Sequence, residues 1–195
     1  MREEEGEANA LDAGSDRAIF VGRFQPYHRG HHEAVKFILG KYSELVIVVG
    51  SAQENYTWEN PFTAGERVEM ISRCLRRDGL YEKCYVIPVP DILESAVWVK
   101  RVVTYSPKVN TVFSNNSLTA VLFKADGFTV KLTPIFGDAN ATKIREMIAK
   151  GDPNWKKLVP ADVADFIEAQ DLTKRVKELK KIPLWKQNSS NNHVA

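Results

Sequence analysis

Short apolar runs alternate with longer amphipathic segments along the chain, and this alternation predicts the secondary structure. The run at residues 45–49 is apolar at every position, which is typical of a central parallel strand covered on both faces. Four other runs are also rich in β-branched and aromatic residues, so the sequence predicts five strands. These strands are expected at residues 18–21, 45–49, 85–87, 111–113 and 128–132.

Helical periodicity fills the segments between these runs. Thr63 and Glu66 form a capping-box pattern, after which Ile71 and Leu75 recur at helical spacing until Gly79. Further helices are expected at residues 31–39, 117–125, 142–149, 162–169 and 173–181. Strands that alternate with helices predict the α/β class, as a single Rossmann-like domain whose parallel sheet has helices on both faces. Ligands of such folds bind at the carboxyl ends of the strands, so the residues that follow each strand are the functional candidates.

The two ends of the chain differ from this pattern. Residues 1–16 are polar, lack apolar periodicity and carry a net charge of −5, so we expect a disordered acidic leader. The folded domain is expected at residues 17–185, and residues 186–195 are expected to form a polar tail. Because the whole chain has a net charge of +2, the part after the leader carries +7. A basic body favours a phosphorylated ligand or nucleic acid, but ordinary solubility charge explains it equally well.

Length and composition exclude several classes of protein. The 195 residues, 44% of them hydrophobic, suit one globular domain and not a disordered chain. No apolar run reaches the roughly 18 residues that cross a bilayer, and the acidic start does not resemble a secretory signal. Cys74 and Cys84 cannot form a metal-ligand set by themselves, and we expect reduced thiols in a cytoplasmic protein.

The residues after the first expected strand carry an anion-binding pattern. His28 and His31 lie three residues apart around the start of the first helix, where free N–H groups and the helix dipole favour a phosphate. Arg23 adds positive charge, and Gly22 and Gly30 would allow the backbone to approach a ligand closely. The segment is neither a G-x-G-x-x-G nor a Walker motif.

Two other interpretations of the histidines stay open. With His32, the pair would supply three metal ligands, although no nearby carboxylate or thiolate completes a set. A surface cluster without function is the usual explanation of scattered histidines, but three of the four histidines of this chain fall within five residues.

These motifs resemble a known family. The string His28-Arg29-Gly30-His31 is the HxGH signature of the nucleotidyltransferase superfamily, and its wider context is similar to archaeal-type nicotinamide mononucleotide (NMN) adenylyltransferases. Four further segments resemble that family in the same order, and the resemblance extends over about residues 18–180. The segments are residues 50–53, 60–67, 87–92 and 96–99.

A second family signature, of the ISxTxxR type, corresponds to residues 139–145. Thr142 is expected to cap the helix that follows, and Arg145 with the helix N-terminus to face a triphosphate. The alternative is an ordinary capped helix with a solvated arginine.

The resemblance implies transfer of the adenylyl group of ATP to NMN, which forms NAD and pyrophosphate. Mg²⁺ would enter with ATP, and no residue is assigned as a metal ligand. The residues implied in catalysis are His28, His31, Arg23 and Arg145. Those implied in ATP binding are Gly22, Arg23, Phe24, His28, Gly30, His31, Asn115, Asn116, Thr142, Lys143 and Arg145. Those implied in NMN binding are Gln25, Ser51, Gln53, Asp91, Ser95 and Trp98.

The role of Trp98 has two interpretations. By resemblance its indole stacks on the cationic pyridinium ring of NMN. From the residues alone, Trp98 is a core aromatic on an apolar helix face with Ala96 and Val102.

Four positions depart from the family pattern, namely Glu59, Ser95, Asn115 and Asn140. The alternatives are therefore a sister transferase acting on flavin mononucleotide, phosphopantetheine or a polyol phosphate, and a non-catalytic nucleotide-binding module. The basic segment 173–181 could bind RNA, but it has no flanking aromatic residues on which bases would stack. No nucleic-acid partner is therefore expected. The resemblance implies a homo-oligomer, a hexamer in relatives. No membrane partner is expected, because no apolar run is long enough to cross a bilayer.

Overall fold

The structure is a computed structural model, and it describes residues 16–183. Apart from Asp16, the predicted leader and the polar tail lie outside the described residues. The first strand begins at Arg17, and the predicted bounds of the domain stay a prediction.

Within residues 16–183, five parallel strands form one sheet with the order β3-β2-β1-β4-β5. Each predicted strand is present, and no observed strand end differs from the predicted one by more than one residue. The strands are β1 (Arg17–Gly22), β2 (Glu44–Val49), β3 (Cys84–Pro88), β4 (Thr111–Phe113) and β5 (Thr129–Lys131). The register pairs Gly22 with Val49 and Val49 with Pro88, so three strands end side by side at the carboxyl edge.

Seven α-helices connect and follow the strands in the described part of the chain. They are α1 (Arg29–Leu39), α2 (Ala64–Arg77), α3 (Ser95–Tyr105), α4 (Ser117–Ala125), α5 (Ala141–Lys150), α6 (Ala161–Ala169) and α7 (Leu172–Lys181). Two short 3₁₀ segments lie at Tyr81–Lys83 and Pro153–Leu158. No helix among residues 16–183 is long and apolar enough to span a membrane.

The central strands bury both of their faces, as the continuous apolar run predicts. On one face Phe20 and Ile47 pack in a core with residues of α1, α2, α5, α6 and α7. On the other, Ile19 and Val48 pack with residues of α3 and α4, including Phe123. The predicted parallel sheet with helices on both faces is therefore confirmed.

The helix starts bear out one capping prediction and correct another. Thr63 accepts a hydrogen bond from the Glu66 amide, and the Glu66 carboxylate accepts one from the Thr63 amide, so the predicted capping box is present. The cap of α5 is Asn140, which accepts from the Lys143 amide at 2.8 Å. The prediction that Thr142 caps this helix is wrong, because α5 begins one residue earlier, at Ala141.

Candidate active site

Three adjoining cavities open at the carboxyl edge of the sheet. The α3 cavity, of about 430 Å³, lies between the ends of β1 and β2 and the starts of α3 and α4. The α1 cavity and the α5 cavity, each of about 260 Å³, lie at the N-termini of α1 and α5. His28 and His31 line both of the smaller cavities, and Arg23 lines the α3 and the α5 cavity. The three cavities therefore form one site, where the fold class predicts a ligand.

His28 and His31 form a mutual cap at the start of α1. The His28 ring accepts a hydrogen bond from the His31 amide at 3.4 Å, and the His31 ring accepts one from the His28 amide at 3.3 Å. Both bonds use Nδ1, and the two rings are stacked with centroids 3.5 Å apart. Because each Nδ1 is an acceptor, the proton of each neutral ring lies on Nε2. Each ring thus retains one N–H donor for a ligand.

Burial keeps both imidazoles uncharged. It lowers the pKa of His28 from 6.5 to about 4. Burial, and then the neighbouring His28, lower the pKa of His31 well below its usual value. At neutral pH the pair therefore offers neutral donors in the ligand-free protein, instead of the positive charges that histidines at a phosphate site suggest.

The loop before α1 supports this pair from below. Phe24 has a φ of +54° and is buried, and its ring lies edge-on to His31 with centroids 4.8 Å apart. A Cβ atom on Gly22 would meet the Phe24 ring at 2.7 Å, so a side chain at this position would displace Phe24. A Cβ on Gly30 would approach both the His28 ring and the Phe136 carbonyl at 3.2 Å. Close packing thus favours glycine at both positions, in addition to the predicted close approach of the backbone to a ligand.

The third histidine points away from the pair. His32 Nδ1 lies 3.1 Å from the Tyr27 hydroxyl, and its Nε2 lies 2.8 Å from Asp78. The metal interpretation needs three converging imidazoles, and this arrangement does not provide them. Among residues 16–183, no group of three or more His, Cys, Asp or Glu side chains is arranged to hold a metal ion.

Arg145 reaches the site from the first turns of α5, and it is buried. Its guanidinium donates to the Gln25 carbonyl at 2.8 Å and to the Thr142 hydroxyl at 3.3 Å. Its Nε is buried and has no partner. Burial and the positive charge of Arg23 lower the pKa of Arg145 to about 10, so it stays charged at neutral pH. The alternative of a solvated arginine is excluded by this burial.

Several predicted ATP-side residues have structural partners of their own. Asn115 exchanges hydrogen bonds with Thr133 through its side-chain amide, and Asn116 caps α4 through a bond from the Thr119 amide. Both asparagines still line the α1 cavity. The Lys143 ammonium forms an exposed ion pair with Asp138 at the rim.

The α3 cavity contains most of the residues predicted on the NMN side. Ser51, Asp91, Ser95 and Trp98 line it together. Trp98 is 8% exposed, packs edge-on against Phe123 and leaves its buried Nε1 without a partner. Trp98 therefore belongs to the core, as the residues alone indicate, and also forms part of the cavity wall, while the stacking on NMN that the resemblance implies stays a prediction.

Two residues predicted on the NMN side lie outside the α3 cavity. Gln53 lines an adjacent open groove and exchanges two hydrogen bonds with Asp91. Gln25 is 2% exposed. Its side-chain Nε2 donates to the Phe62 carbonyl at 2.8 Å, and its Oε1 accepts from the Phe62 amide at 2.9 Å. The side chain of Gln25 thus joins two loops and lies beside Arg145, not among the residues of the α3 cavity.

Sequence reasoning missed two residues that contact residues of the site. Arg67 is fully buried beneath the α3 cavity, and Trp58 lies between the cations of Arg145 and Lys180, with ring distances of 5.6 and 4.1 Å. A signal for Arg67 existed, because it lies one helical turn before Ile71 on the buried face of α2. No local pattern marks Trp58, since its partners come from distant helices.

Comparison with known proteins is consistent with this geometry. The sequence model of the cytidylyltransferase-like family matches residues 19–148. The nicotinamide-nucleotide adenylyltransferase of Ignicoccus hospitalis is 49% identical over 168 residues, a match that covers 85% of this chain and 98% of the relative. The protein of the same name from Archaeoglobus fulgidus is 46% identical over 169 residues, covering 84% and 97%.

The fold also occurs in solved structures. A bifunctional NMN adenylyltransferase/ADP ribose pyrophosphatase from Francisella tularensis, complexed with AMP and a Mn ion, superposes with a TM-score of 0.65 at 21% identity. The match covers 84% of this chain and 52% of that chain, so this chain spans about half the length of the bifunctional protein. A likeness at this level of identity concerns the fold alone.

Proposed function

The chain belongs to the nicotinamide-nucleotide adenylyltransferases within the cytidylyltransferase-like family, and on that premise we propose that it transfers the adenylyl group of ATP to NMN. The products are NAD and pyrophosphate. The observation that carries the proposal is the His28–His31 pair, which lines both the α1 cavity and the α5 cavity, the latter bordered also by Arg145 and Arg23.

The chemistry of the transfer agrees with the residues available. An oxygen of the NMN 5′-phosphate attacks the α-phosphorus of ATP in line, and the bond from this phosphorus to the bridging oxygen of the β-phosphate breaks. Pyrophosphate leaves with that bond's electron pair. Because the attacking phosphate is already an anion, no protein base is required, and catalysis consists of positioning and charge stabilisation.

The ATP half of the site supplies the charge stabilisation. His28 and His31 would donate Nε2–H to oxygens around the α-phosphate, where negative charge moves during the transfer. Arg145 and Arg23 would hold the outer phosphates, and the unpartnered Nε of Arg145 is one further donor. Asn115 and Asn116 would border the adenosine, with Thr142 and Lys143 at the triphosphate rim.

The α3 cavity would receive NMN. The indole of Trp98 would stack on the pyridinium ring, and the unpartnered Nε1–H would donate to a ligand oxygen. Asp91, oriented by Gln53, would complement polar groups of the nucleotide, with Ser51 and Ser95 beside it. Gln25 would contribute indirectly, through the loop that it holds.

Mg²⁺ would enter as part of the substrate, bound to the triphosphate with water as its other ligands. The structure agrees in that cationic and neutral donors, rather than carboxylates, border the α5 cavity. We expect chelation to abolish turnover and added Mg²⁺ to restore it. Full activity in the presence of excess chelator would contradict this part of the proposal.

Assembly and location complete the proposal. We place the protein in the cytoplasm as a homo-oligomer. The thiols of Cys74 and Cys84 are free, and apolar side chains of α3 and α4, such as Val103 and Val121, are exposed where a second subunit would cover them. Light scattering at several protein concentrations would determine the oligomeric state, and a monomer throughout would contradict it.

A pyrophosphate-release assay tests the reaction itself. The purified protein is incubated with ATP and Mg²⁺ and with NMN, flavin mononucleotide, phosphopantetheine or a polyol phosphate in turn. We expect release, and a product with the mass of NAD, with NMN. The His31→Ala variant, purified identically, controls for host enzymes. Release with another acceptor but not with NMN would overturn the acceptor assignment, and ATP binding without release would indicate a non-catalytic module.

A further inference from the structure

Arg67 is buried under the α3 cavity, and it has no part in the transfer as proposed above. Arg67 lies in the first turn of α2 and is 0% exposed. Among residues 16–183, no carboxylate lies within ion-pairing distance of its guanidinium. A buried cation is strongly destabilising unless its N–H groups are hydrogen-bonded, so its partners indicate its function.

The partners of Arg67 are all backbone carbonyls, and they come from three separate segments. One terminal nitrogen donates to Arg23 at 3.0 Å, in the loop after β1, and to Gly50 at 2.9 Å, at the end of β2. The other donates to Ser51 at 3.1 Å, in the loop after β2. The Nε donates to Thr63, the cap of α2, at 3.2 Å. One planar group thus fixes the ends of the two central strands relative to each other.

These anchored residues are the ones that border both halves of the site. Arg23 lines the α5 cavity and the α3 cavity, whereas Gly50 and Ser51 line the α3 cavity. A displacement of one loop against the other would therefore shift the ATP side relative to the acceptor side. A lysine at position 67 would have a single nitrogen and could not reach carbonyls on three segments at once.

The guanidinium also carries charge into this region. Burial and Arg23 lower the pKa of Arg67 to about 10, while Asp91 and Glu66 oppose the change. Arg67 is therefore protonated at neutral pH. Its positive charge lies below a cavity that, on the proposed function, receives a phosphate.

We propose that Arg67 is a positioning residue, which fixes the loop after β1 against the loop after β2 and so aligns the acceptor phosphate with the α-phosphate of ATP. This proposal rests on the proposed function, since it assumes that both substrates bind at this edge. Alignment errors of about 1 Å are enough to slow a transfer reaction by roughly a hundredfold.

The first test compares two variants on the same helix. In Arg67→Lys we expect kcat to fall by about tenfold to a hundredfold, with smaller changes in KM for both substrates. Arg73→Lys is the matched control, because Arg73 is exposed and its side chain contacts Glu69 and the Phe166 ring at the surface. Equal kcat values for the two variants would overturn the proposal.

A second variant keeps the test informative if the lysine variant does not fold. In Arg67→Ala, added guanidinium at millimolar concentration should restore part of the lost kcat, because it can occupy the vacated space and bond the same carbonyls. Ammonium should not. Equal rescue by both cations, or by neither, would overturn the role of a planar donor.

A third measurement does not depend on turnover. Amide hydrogen exchange should be faster at Gly50, Ala52 and Glu54 in Arg67→Lys than in Arg73→Lys, since these amides hold the loop after β2 to Gly22, to Val89 and to its own Ser51 carbonyl. Unchanged exchange would overturn the proposal. If the wild type does not produce NAD, the proposed function fails, whereas the exchange comparison still decides whether Arg67 fixes the loops.

Discussion

The two halves of the site differ in how firmly their residues are held. On the side proposed for ATP, His28, Phe24 and Arg145 are buried, and Arg145 is bonded to a carbonyl 120 residues away in the sequence. On the side proposed for the acceptor, Trp98 is buried, but Asp91 and Gln53 are exposed and bond mainly to each other. A site that performs chemistry needs preorganised donors, and a site that selects an acceptor needs a binding surface. We therefore expect substitutions on the ATP side to change kcat and those on the acceptor side to change KM.

The largest expected effect is on the ATP side. In His31→Ala, kcat should fall by roughly 10²–10³, because one preorganised donor to the reacting phosphate is lost. The KM for ATP should change less, since Arg23, Arg145 and His28 remain. Steady-state kinetics, together with the melting temperature of the variant, would measure this. A kcat near that of the wild type would remove the histidine pair from the mechanism.

The buried histidine pair should also appear in acid stability. The unfolded chain binds a proton at His28 near pH 6.5, but the folded chain does so only near pH 4, so stability falls as the pH drops between these values. In His28→Asn, which keeps a capping residue, the loss between about pH 7.5 and about pH 5 should be smaller by about 2 kcal/mol.

Chemical denaturation of both proteins across this pH range measures the difference. An equal loss of stability in the variant and the wild type would mean that His28 is not held uncharged in the folded state.

On the acceptor side, Trp98→Ala should raise the KM for NMN by about fivefold to thirtyfold, which corresponds to about 1–2 kcal/mol of lost stacking. The KM for ATP should change much less. Phe123→Leu is the matched control, because Phe123 packs against Trp98 in the same core but does not line the cavity. Equal increases for both substrates would assign Trp98 to the core alone.

The smallest expected effect is at the exposed pair of Gln53 and Asp91. In Gln53→Ala, Asp91 loses the side chain that orients it, and the KM for NMN should rise by about twofold to tenfold, the worth of about one hydrogen bond. The kcat should not change. A fall in kcat with an unaltered KM would contradict the division of the site into a chemical and a selecting half.

Local patterns predicted much of the fold and indicated the residues at the centre of the candidate site. The alternation of apolar runs located all five strands, and the Thr63–Glu66 spacing located a helix start, because both are short-range features. The clustering of His28 and His31 after a strand predicted a phosphate site. The family resemblance supplied Arg145 and Trp98, which residue patterns alone would have left as a solvated arginine and a core aromatic.

The remaining decisions belong to the tertiary structure, because they depend on residues that meet only after folding. The sequence determined which residues line the carboxyl edge, but not that the two histidines cap one helix as neutral rings, which burial decides. It did not indicate that the Gln25 side chain is hydrogen-bonded to the Phe62 backbone, or that Arg67 donates to carbonyls of three segments. Strand order and helix packing create those contacts, and local periodicity carries no information about partners that lie dozens of residues apart.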